Sequence, residues 1–307
     1  MNLDSELASA LTSLPDLHIR DLRGARARMA DLASNSPPPP DDVIVSEHSV
    51  PGDEDNAVPV RVFRPRGTST PLPAVLLLHG GGFVMGSADA LTAQAASLCG
   101  ELPALVAAVD YRLAPEHPYP AALRDCRAAL DWLVSAPEAL GVDPGRVAVH
   151  GMSAGGGLAA GLTLWARDGG EAPVCFQVLD APELDDRLET HSVRTFERTP
   201  LWNRDDAVLS WRHYLRGLHE EVPVYAAPAR AAELSGLPPA YVSVYENDPL
   251  RDEGLAYASA LLRAGISVEL HLFPGTFHRS AVIADAGVSR RQAAETLGAL
   301  RRALHPG

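Results

Sequence analysis

From residue 73 onward, short apolar runs alternate with longer segments that have helical spacing. Six of these runs are rich in apolar residues, as expected for strands that are covered on both faces of a parallel sheet. They are residues 74–78, 104–109, 147–150, 174–179, 240–244 and 268–273. Helical segments separate them, for example 121–134 and 254–264, and Gly265 after the second is typical of a helix C-terminus. The pattern predicts an α/β fold.

The first 65 residues follow a different pattern. Leucine and methionine residues are spaced for one face of a helix, and the proline-rich run at 36–40 should end that helix. These apolar residues are Leu17, Leu22, Met29 and Leu32. Short β-rich runs follow at 43–45 and 58–63, and the second alternates as a half-buried strand does. We expect both to enter the sheet as antiparallel strands, which makes eight strands in total.

Residues 185–221 interrupt the alternation of strands and helices. This stretch is rich in charge and tryptophan, has no convincing strand, and contains a helical pattern near 205–214. We interpret it as an insertion that lies over the sheet.

Composition excludes several classes of function. The chain has 307 residues with a net charge of −13, and all 26 of its basic residues are Arg. Without Lys, Schiff-base catalysis, P-loop phosphate binding and the S-x-x-K serine hydrolases are excluded. The acidic balance, with Arg scattered along the chain, opposes nucleic-acid binding. We therefore expect no nucleic-acid partner.

Membrane, secretory and metal signals are weak. The uncharged stretch 147–166 contains His150, Ser153 and five glycines, which favour a strand, a turn and a helix over a membrane span. The N-terminus shows no secretory signal pattern. The three cysteines have no C-x-x-C or metal-like spacing, so we expect free thiols in a reducing cytoplasm and no metal site.

Ser153 is the candidate nucleophile. It is the central residue of Gly151-Met152-Ser153-Ala154-Gly155, which matches G-x-S-x-G and directly follows a predicted strand. Glycines two residues either side permit a turn so tight that the serine hydroxyl is pushed into the open. An ordinary strand-to-helix turn is the alternative, but the placement between strand and helix favours the nucleophile.

A glycine-rich loop, His79-Gly80-Gly81-Gly82-Phe83, follows another predicted strand. It could be simply flexible, but three consecutive glycines also let backbone N–H groups approach an oxyanion. We expect Gly81 and Gly82 to donate, together with the N–H of Ala154. His79 precedes the loop and suits a structural hydrogen bond better than the role of base.

The base and its orienting acid follow from chain order, which in α/β hydrolases is Ser, then Asp or Glu, then His. Of the histidines beyond Ser153, His278 alone occupies a loop just after a predicted strand. Asp248 occupies the loop after the preceding strand, whereas Asp252 and Glu253 are interpreted as carboxylates that complement a helix N-terminus. Because parallel strands end at one sheet edge, these distant segments can converge.

These motifs together resemble the hormone-sensitive-lipase-like, or bacterial family IV, carboxylesterases of the α/β-hydrolase fold. The resemblance covers most of the chain and includes the run from Asp110 to Ala122, DYRLAPEHPYPAA, and the run from Asp248 to Asp252. It implies the triad Ser153, Asp248 and His278, an oxyanion hole of Gly81, Gly82 and Ala154, and no cofactor or metal. Homodimers are common in the family.

The resemblance also implies a domain organisation: N-terminal cap helices at 1–45, the hydrolase core at 46–184 and 223–307, and a cap insertion at 185–222. Aromatic residues of the insertion would shape an acyl or alcohol pocket, although such residues are as often simple packing. They are Phe196, Trp202, Trp211 and Tyr214. Arg112 is interpreted as scaffold, paired with acidic neighbours near the site.

Two positions depart from the family. Met152 stands where the family usually has Asp or Thr, and Arg279 follows the candidate base where the family usually has Gly. Neither belongs to the predicted triad; Met152 is expected to change the hydrogen bonding that supports the turn at Ser153, and Arg279 to change the charge at the rim of the site.

The predicted activity is hydrolysis of short-acyl carboxylic esters through an acyl-enzyme. An amidase, arylformamidase, lactonase or deacetylase would use the same residues. A non-catalytic small-molecule receptor, like the gibberellin receptors of this fold, is a further alternative; those receptors have lost the catalytic His, whereas His278 is present here.

Overall fold

The computed structural model describes residues 1–53, 56–68, 71–135, 137–170 and 174–306. One sheet of eight strands runs in the order β1-β2-β4-β3-β5-β6-β7-β8. The strands are β1 Val43–Pro51, β2 Ala57–Pro65, β3 Leu72–Leu78, β4 Leu105–Val109, β5 Val142–Met152, β6 Phe176–Asp180, β7 Ala240–Asn247 and β8 Val268–Phe277. β2 pairs antiparallel with β1 and β4, and the remaining pairs are parallel.

Helices connect the strands in the predicted α/β alternation. They are α1 Ser5–Ala10, α2 Leu22–Ser34, α3 Thr92–Glu101, α4 Ala121–Ser135, α5 Pro137–Leu140, α6 Ala154–Gly169, α7 His191–Thr195, α8 Arg204–Tyr214, α9 Arg251–Arg263 and α10 Gly287–Leu304. The predicted eight-stranded, mostly parallel α/β-hydrolase sheet is confirmed. The helical pattern in the insertion corresponds to α8, and Gly265 follows α9 with φ +81°.

The sheet is covered on both faces, which explains why its strands are apolar throughout. Alternate side chains of β3, such as Leu76 and Leu77, belong to two different apolar clusters. The first cluster contains α4, α6 and α9, and the second contains α3 and α10. All seven residues of β3 are buried, so the strand loses the alternation that one-sided burial would give.

The N-terminal prediction of one helical face was wrong in detail. Leu17 is buried but lies between helices, and Leu32 is 46% exposed. The break follows from Pro15, which disfavours helical backbone at the preceding residue; Leu14 is extended, with φ −74° and ψ 141°. The helix after the break ends at Ser34, just before the proline-rich run.

A third apolar cluster joins the N-terminal helices to the insertion and to the sheet edge that carries the glycine loop. It includes Met29 from α2, Leu201 and Trp202 from the insertion, and Phe277 from β8. Polar contacts reinforce it: His18 Nδ1 lies 2.5 Å from Asp206 Oδ2 in α8. These helical segments therefore pack as one layer near the carboxyl ends of the strands.

Across the described ranges, no helix combines the length and the apolar character that crossing a membrane requires.

Candidate active site

Four parallel strands end immediately before the predicted site residues. β3 is followed by His79, β5 by Ser153, β7 by Asp248 and β8 by His278. Because these strands are parallel, their carboxyl ends lie at one edge of the sheet. The structure thus brings together all the segments that the sequence placed there.

Ser153 occupies the tight turn between β5 and α6. Its backbone has φ 57° and ψ −121°, a strained combination for a residue with a side chain. The flanking glycines are sterically required: a Cβ on Gly151 would stand 1.9 Å from the carbonyl oxygen of Gly155, and one on Gly155 would stand 2.3 Å from that of Leu78. The turn therefore has the geometry of a nucleophile elbow.

Ser153, His278 and Asp248 form a continuous hydrogen-bonded chain. The Oγ of Ser153 lies 2.9 Å from Nε2 of His278, and Nδ1 of His278 lies 2.7 Å from Oδ2 of Asp248. All three side chains are at most 1% exposed. Oδ1 of Asp248 accepts the N–H of Leu250 at 2.8 Å, which fixes the carboxylate. This order of contacts is that of a nucleophile, a base and an orienting acid.

The glycine loop presents its N–H groups beside this chain because its carbonyls are held elsewhere. The carbonyl of Gly80 accepts Nδ1–H of His79 at 2.9 Å, and that of Gly81 accepts the N–H groups of Val84 and Met85 at 3.1 and 3.0 Å. A trans peptide directs its N–H opposite to its carbonyl. Among the described residues, the N–H groups of Gly81, Gly82 and Ala154 have no protein acceptor.

His79 has the structural role that its position before the glycine loop predicted. It is buried, stacks on Tyr111 with ring centroids 4.0 Å apart, and its carbonyl accepts the Tyr111 hydroxyl at 2.6 Å. Burial lowers the pKa of His79 to about 4, so the ring stays neutral and serves as a fixed donor to the loop.

The other histidines beyond Ser153 lie away from the serine hydroxyl. His213 is in α8, His271 is within β8 and contacts Glu269 at 3.0 Å, and His305 follows α10. Among the described residues, His278 is the imidazole that contacts Ser153.

The prediction that Asp252 and Glu253 complement the N-terminus of α9 was incomplete. Neither caps α9 with its side chain. Instead, Asp252 accepts the N–H of Ser192 at 2.8 Å and Glu253 that of Leu184 at 2.6 Å. Asp252 therefore attaches the insertion to the core, and Glu253 holds the segment that leads into the insertion.

Of the four aromatic residues predicted to shape a pocket, Trp202 reaches the site. Its ring centroid is 5.9 Å from that of His278. Trp211 and Tyr214 pack on Phe83 instead, at 5.5 and 3.9 Å between centroids. Phe196 lies under the guanidinium of Arg251, so the ring contacts of these three residues are packing contacts.

Arg112 contacts acidic neighbours, as expected for scaffold. Its guanidinium contacts Asp125 at 2.8 Å and Asp53 at 2.7 Å, and its backbone N–H also donates to Asp125. These contacts tie the segment after β4 to α4 and to the loop after β1.

The two departures from the family occupy different environments. The Cε of Met152 would be 3.3 Å from a Cβ on Gly80, so this side chain fills space beside the glycine loop. Arg279 is half-buried in the left-handed conformation, with φ 61°, and its Nη1 contacts Sδ of Met29 at 3.9 Å. Burial lowers the pKa of Arg279.

Sequence reasoning missed three buried polar residues near the site. Asp180 ends β6, Glu183 follows it, and Ser210 is in α8. Burial raises the pKa of Asp180 to about 6; its carboxylate accepts from Ser243 at 2.5 Å. The signal was available, since β6 ends at the same sheet edge as the other site strands.

In the part of the chain that the structure describes, one group of side chains has metal-compatible spacing. Ligand atoms of Glu269, His271 and Glu295 lie within 4.8 Å of one another on β8 and α10. Glu269 is already paired with Arg302 at 2.5 Å. These residues lie outside the loops that carry Ser153, Asp248 and His278, so the group does not contribute to this site.

Comparison with known proteins agrees with this geometry. A family model described as an alpha/beta hydrolase fold matches residues 75–282. The chain is 40% identical over 291 residues to carboxylesterase NlhH of Mycobacterium tuberculosis, covering 92% of this chain and 89% of that one. It is 35% identical to the ethyl acetate hydrolase of Pseudomonas putida, covering 76% and 74%.

A solved bacterial heroin esterase is also similar. It superposes with a TM-score of 0.96 at 50% identity, covering 99% of this chain and 98% of that one. With sequence and structural similarity spanning nearly the whole chain, this protein belongs to the hormone-sensitive-lipase-like carboxylesterase branch of the α/β-hydrolase fold family.

Proposed function

We propose that Ser153 is the nucleophile, His278 the general base and Asp248 the orienting acid of this serine carboxylesterase. The observation that carries the proposal is the pair of contacts at 2.9 and 2.7 Å that joins the three side chains in that order. The strained elbow supports it, because backbone strain of this kind is concentrated at active sites.

In the first half of the reaction, His278 Nε2 takes the proton of the Ser153 hydroxyl as Oγ attacks the ester carbonyl. The negative charge that develops on the carbonyl oxygen is stabilised by the N–H groups of Gly81, Gly82 and Ala154. The tetrahedral intermediate then expels the alcohol, which takes the proton from His278, and leaves an acyl group on Ser153.

In the second half, water attacks the acyl carbonyl and gives a proton to His278. The same N–H groups stabilise the second oxyanion, and the proton returns to Ser153 as the carboxylic acid leaves. Asp248 accepts the Nδ1–H of His278 and stabilises the imidazolium in both halves. The cycle is complete without a cofactor or metal, and its partner is a small-molecule ester.

We propose a preference for short acyl groups. Trp202 lies against the glycine loop and near His278, which restricts space beside the serine hydroxyl. The ethyl acetate hydrolase, which is similar over 76% of this chain, is named for an ester with a two-carbon acyl group.

The direct test compares Ser153→Ala and Asp248→Asn with the wild type on a p-nitrophenyl ester of a short acid. We expect Ser153→Ala to retain its circular dichroism spectrum and to lose about 10⁶ in kcat. Asp248→Asn should lose about 10⁴, because the imidazole then adopts the wrong tautomer. Asp252→Asn is the matched control, since Asp252 contacts the insertion and not His278. Undiminished turnover by Ser153→Ala refutes the proposal.

An amidase, arylformamidase, lactonase or deacetylase is less favoured, because similar proteins that cover most of the chain are named as carboxylesterases. A receptor is disfavoured by the intact contact between Ser153 and His278. A fluorophosphonate distinguishes the receptor, because it labels an activated serine and leaves an inactive one unmodified.

We propose that residues 1–45 and 185–222 act together as a cap over a core of 46–184 and 223–307. The shared apolar cluster and the contact between His18 and Asp206 support this division. Limited proteolysis should cut at the boundaries of these segments before it cuts within the core.

We propose a homodimer formed along β8. This strand lies at the edge of the sheet, and its Leu270 and Leu272 are 41% and 44% exposed. Exposed apolar side chains on an unpaired edge favour pairing with a second copy. Sedimentation should show a dimer that Leu272→Arg converts to a monomer; a monomeric wild type removes the proposal.

We propose a cytoplasmic location, which the three free cysteines support. Cys99 and Cys126 are buried as thiols, a state that persists in a reducing compartment. Cell fractionation with a tagged chain tests this location.

A further inference from the structure

Ser210 joins a buried carboxyl group to the glycine loop. Its Oγ lies 2.7 Å from Oε1 of Glu183 and 3.0 Å from the carbonyl oxygen of Gly82. Glu183 and Ser210 have no exposed surface. Within the described chain, Ser210 is the donor that reaches the Gly82 carbonyl, so this hydroxyl holds the loop from the side of α8.

The number of hydrogens in this arrangement depends on the protonation of Glu183. The Ser210 hydroxyl has one hydrogen, and the Gly82 carbonyl can only accept. If Glu183 is ionised, its carboxylate and the Gly82 carbonyl compete for that hydrogen, and one of the two contacts is left without a hydrogen. If Glu183 is protonated, it donates to Ser210 and Ser210 donates to Gly82, so both contacts are complete hydrogen bonds.

The unpartnered oxygen of Glu183 favours the same state. Its Oε2 is buried and has no hydrogen-bond partner in the described structure. An ionised carboxylate would place about half a negative charge on this oxygen, whereas a protonated group leaves a neutral carbonyl there. Burying a neutral oxygen without a partner costs far less than burying a charged one.

The groups around Glu183 are acids. Asp248, in the loop after β7, and Asp206, in α8, interact electrostatically with the Glu183 carboxyl group. Glu253 in α9 interacts with it in the same way. Tyr111 and Tyr214 also lie within electrostatic range. Burial, reinforced by Asp248 and Asp206, raises the pKa of Glu183 to about 8.

We infer that Glu183 is a protonated positioning residue that holds the oxyanion loop through Ser210. The inference rests on the proposed function, in which the N–H of Gly82 stabilises the oxyanion. Above the titration of Glu183, the carboxylate captures the Ser210 hydrogen, because a charged acceptor forms the stronger hydrogen bond. The Gly82 carbonyl then loses its hydrogen bond from Ser210, and the glycine loop is no longer fixed next to the N–H of Gly82.

The test is the pH dependence of kcat for wild type, Glu183→Gln and a matched control. The wild type should lose turnover above about pH 8, with kcat falling more than KM changes, because the oxyanion contact forms in the transition state. In Glu183→Gln the amide N–H₂ donates to Ser210 at every pH, so this alkaline fall should disappear. Glu253→Gln, which removes a buried carboxyl without contact to the loop, should retain the fall.

Ser210→Ala provides a second variant, with lower kcat and no alkaline fall. A measurement on the unmodified protein adds an independent readout: infrared spectra at pH 7 should contain the C=O band of a protonated carboxyl group that is missing from Glu183→Gln. A wild-type kcat that is constant to pH 10, or an alkaline fall that persists in Glu183→Gln, overturns the inference. Failure of the proposed function is distinguishable, because the wild type would then show no turnover at any pH.

Discussion

The indole of Trp202 lies directly over Gly82 of the glycine loop. A Cβ on Gly82 would stand 2.3 Å from Cη2 of Trp202, so the two residues fit only because position 82 has no side chain. Trp202 is 2% exposed and belongs to the apolar cluster that joins the N-terminal helices to the insertion. The helical layer therefore limits the space beside the glycine loop.

Replacing Trp202 should change acyl-chain preference. In Trp202→Ala, the space vacated by the indole would accommodate additional methylenes, each worth about 0.8 kcal/mol when buried. We expect the ratio of kcat/KM for hexanoate to that for acetate p-nitrophenyl esters to rise by about tenfold or more. Trp165→Ala, which removes an indole stacked on Tyr225, is the matched control and should leave the ratio unchanged. An unchanged ratio in Trp202→Ala would show that the indole does not bound the acyl site.

Gly82→Ala should impair turnover strongly. The added Cβ would collide with Trp202, and the backbone at position 82 has φ +58°, so the loop must shift. Displacing an oxyanion donor costs about 10²–10³ in kcat. Gly265→Ala imposes a similar φ of +81° with open space around the added atom, so it should affect stability slightly and kcat hardly at all. Equal kcat for the two variants contradicts the proposed role of the loop.

At position 279, glycine should give a more stable protein than alanine. A non-glycine residue in the left-handed region costs about 1–2 kcal/mol, and the Nε of Arg279 is buried without a partner. Glycine relieves this strain, but part of the stabilisation is lost because glycine also gives the unfolded chain more conformational freedom. We expect Arg279→Gly to unfold with a free energy about 1 kcal/mol above that of Arg279→Ala in urea titrations. The reverse order would show that the backbone is relaxed at this position.

Buried histidines should make the protein sensitive to acid. Burial lowers the pKa of both His79 and His150 to about 4, below the ordinary value near 6.5. Each stays neutral in the fold while the unfolded chain takes up a proton, so stability is lost as pH falls from about 6.5 to 4. The slope is about 1.4 kcal/mol per pH unit for each histidine.

His150→Leu should remove one of these contributions. Nδ1 of His150 is buried without a partner, so leucine leaves no polar group unsatisfied. Relative to wild type, the variant should gain about 2 kcal/mol more at pH 5 than at pH 8 in urea unfolding. An equal change at both pH values would mean that His150 does not titrate differently in the two states.

Much of the site could be predicted because its residues follow strand ends. Ser153, Asp248 and His278 each come one position after a strand, and apolar runs locate those strands. The sequence could not show that Trp202 covers Gly82, because side-chain contact across 120 positions depends on how the insertion packs. For the same reason, the three other aromatic residues of the insertion carried an equal signal and proved to pack elsewhere.

Glu183 shows a different limit. Glu183 lies three residues beyond β6 among other acidic residues, Asp180, Asp185 and Asp186, and nothing in the sequence distinguishes it from them. Its chemistry depends on Ser210, 27 residues later.

Leu17 failed for a local reason: spacing alone does not register that Pro15 interrupts the helix. Leu32 lies in the last turn of α2 and is exposed there, so its spacing from Met29 did not indicate burial.

The proposed mechanism requires that Ser153 carries the acyl group during turnover. Rapid mixing with a p-nitrophenyl acetate ester, acid quenching and mass analysis of peptides test it most directly. We expect a burst of one p-nitrophenol per chain and one acetyl group on the peptide that contains Ser153, both missing from Ser153→Ala. Turnover without acetylation of that peptide, or an acetyl group on another residue, would contradict it.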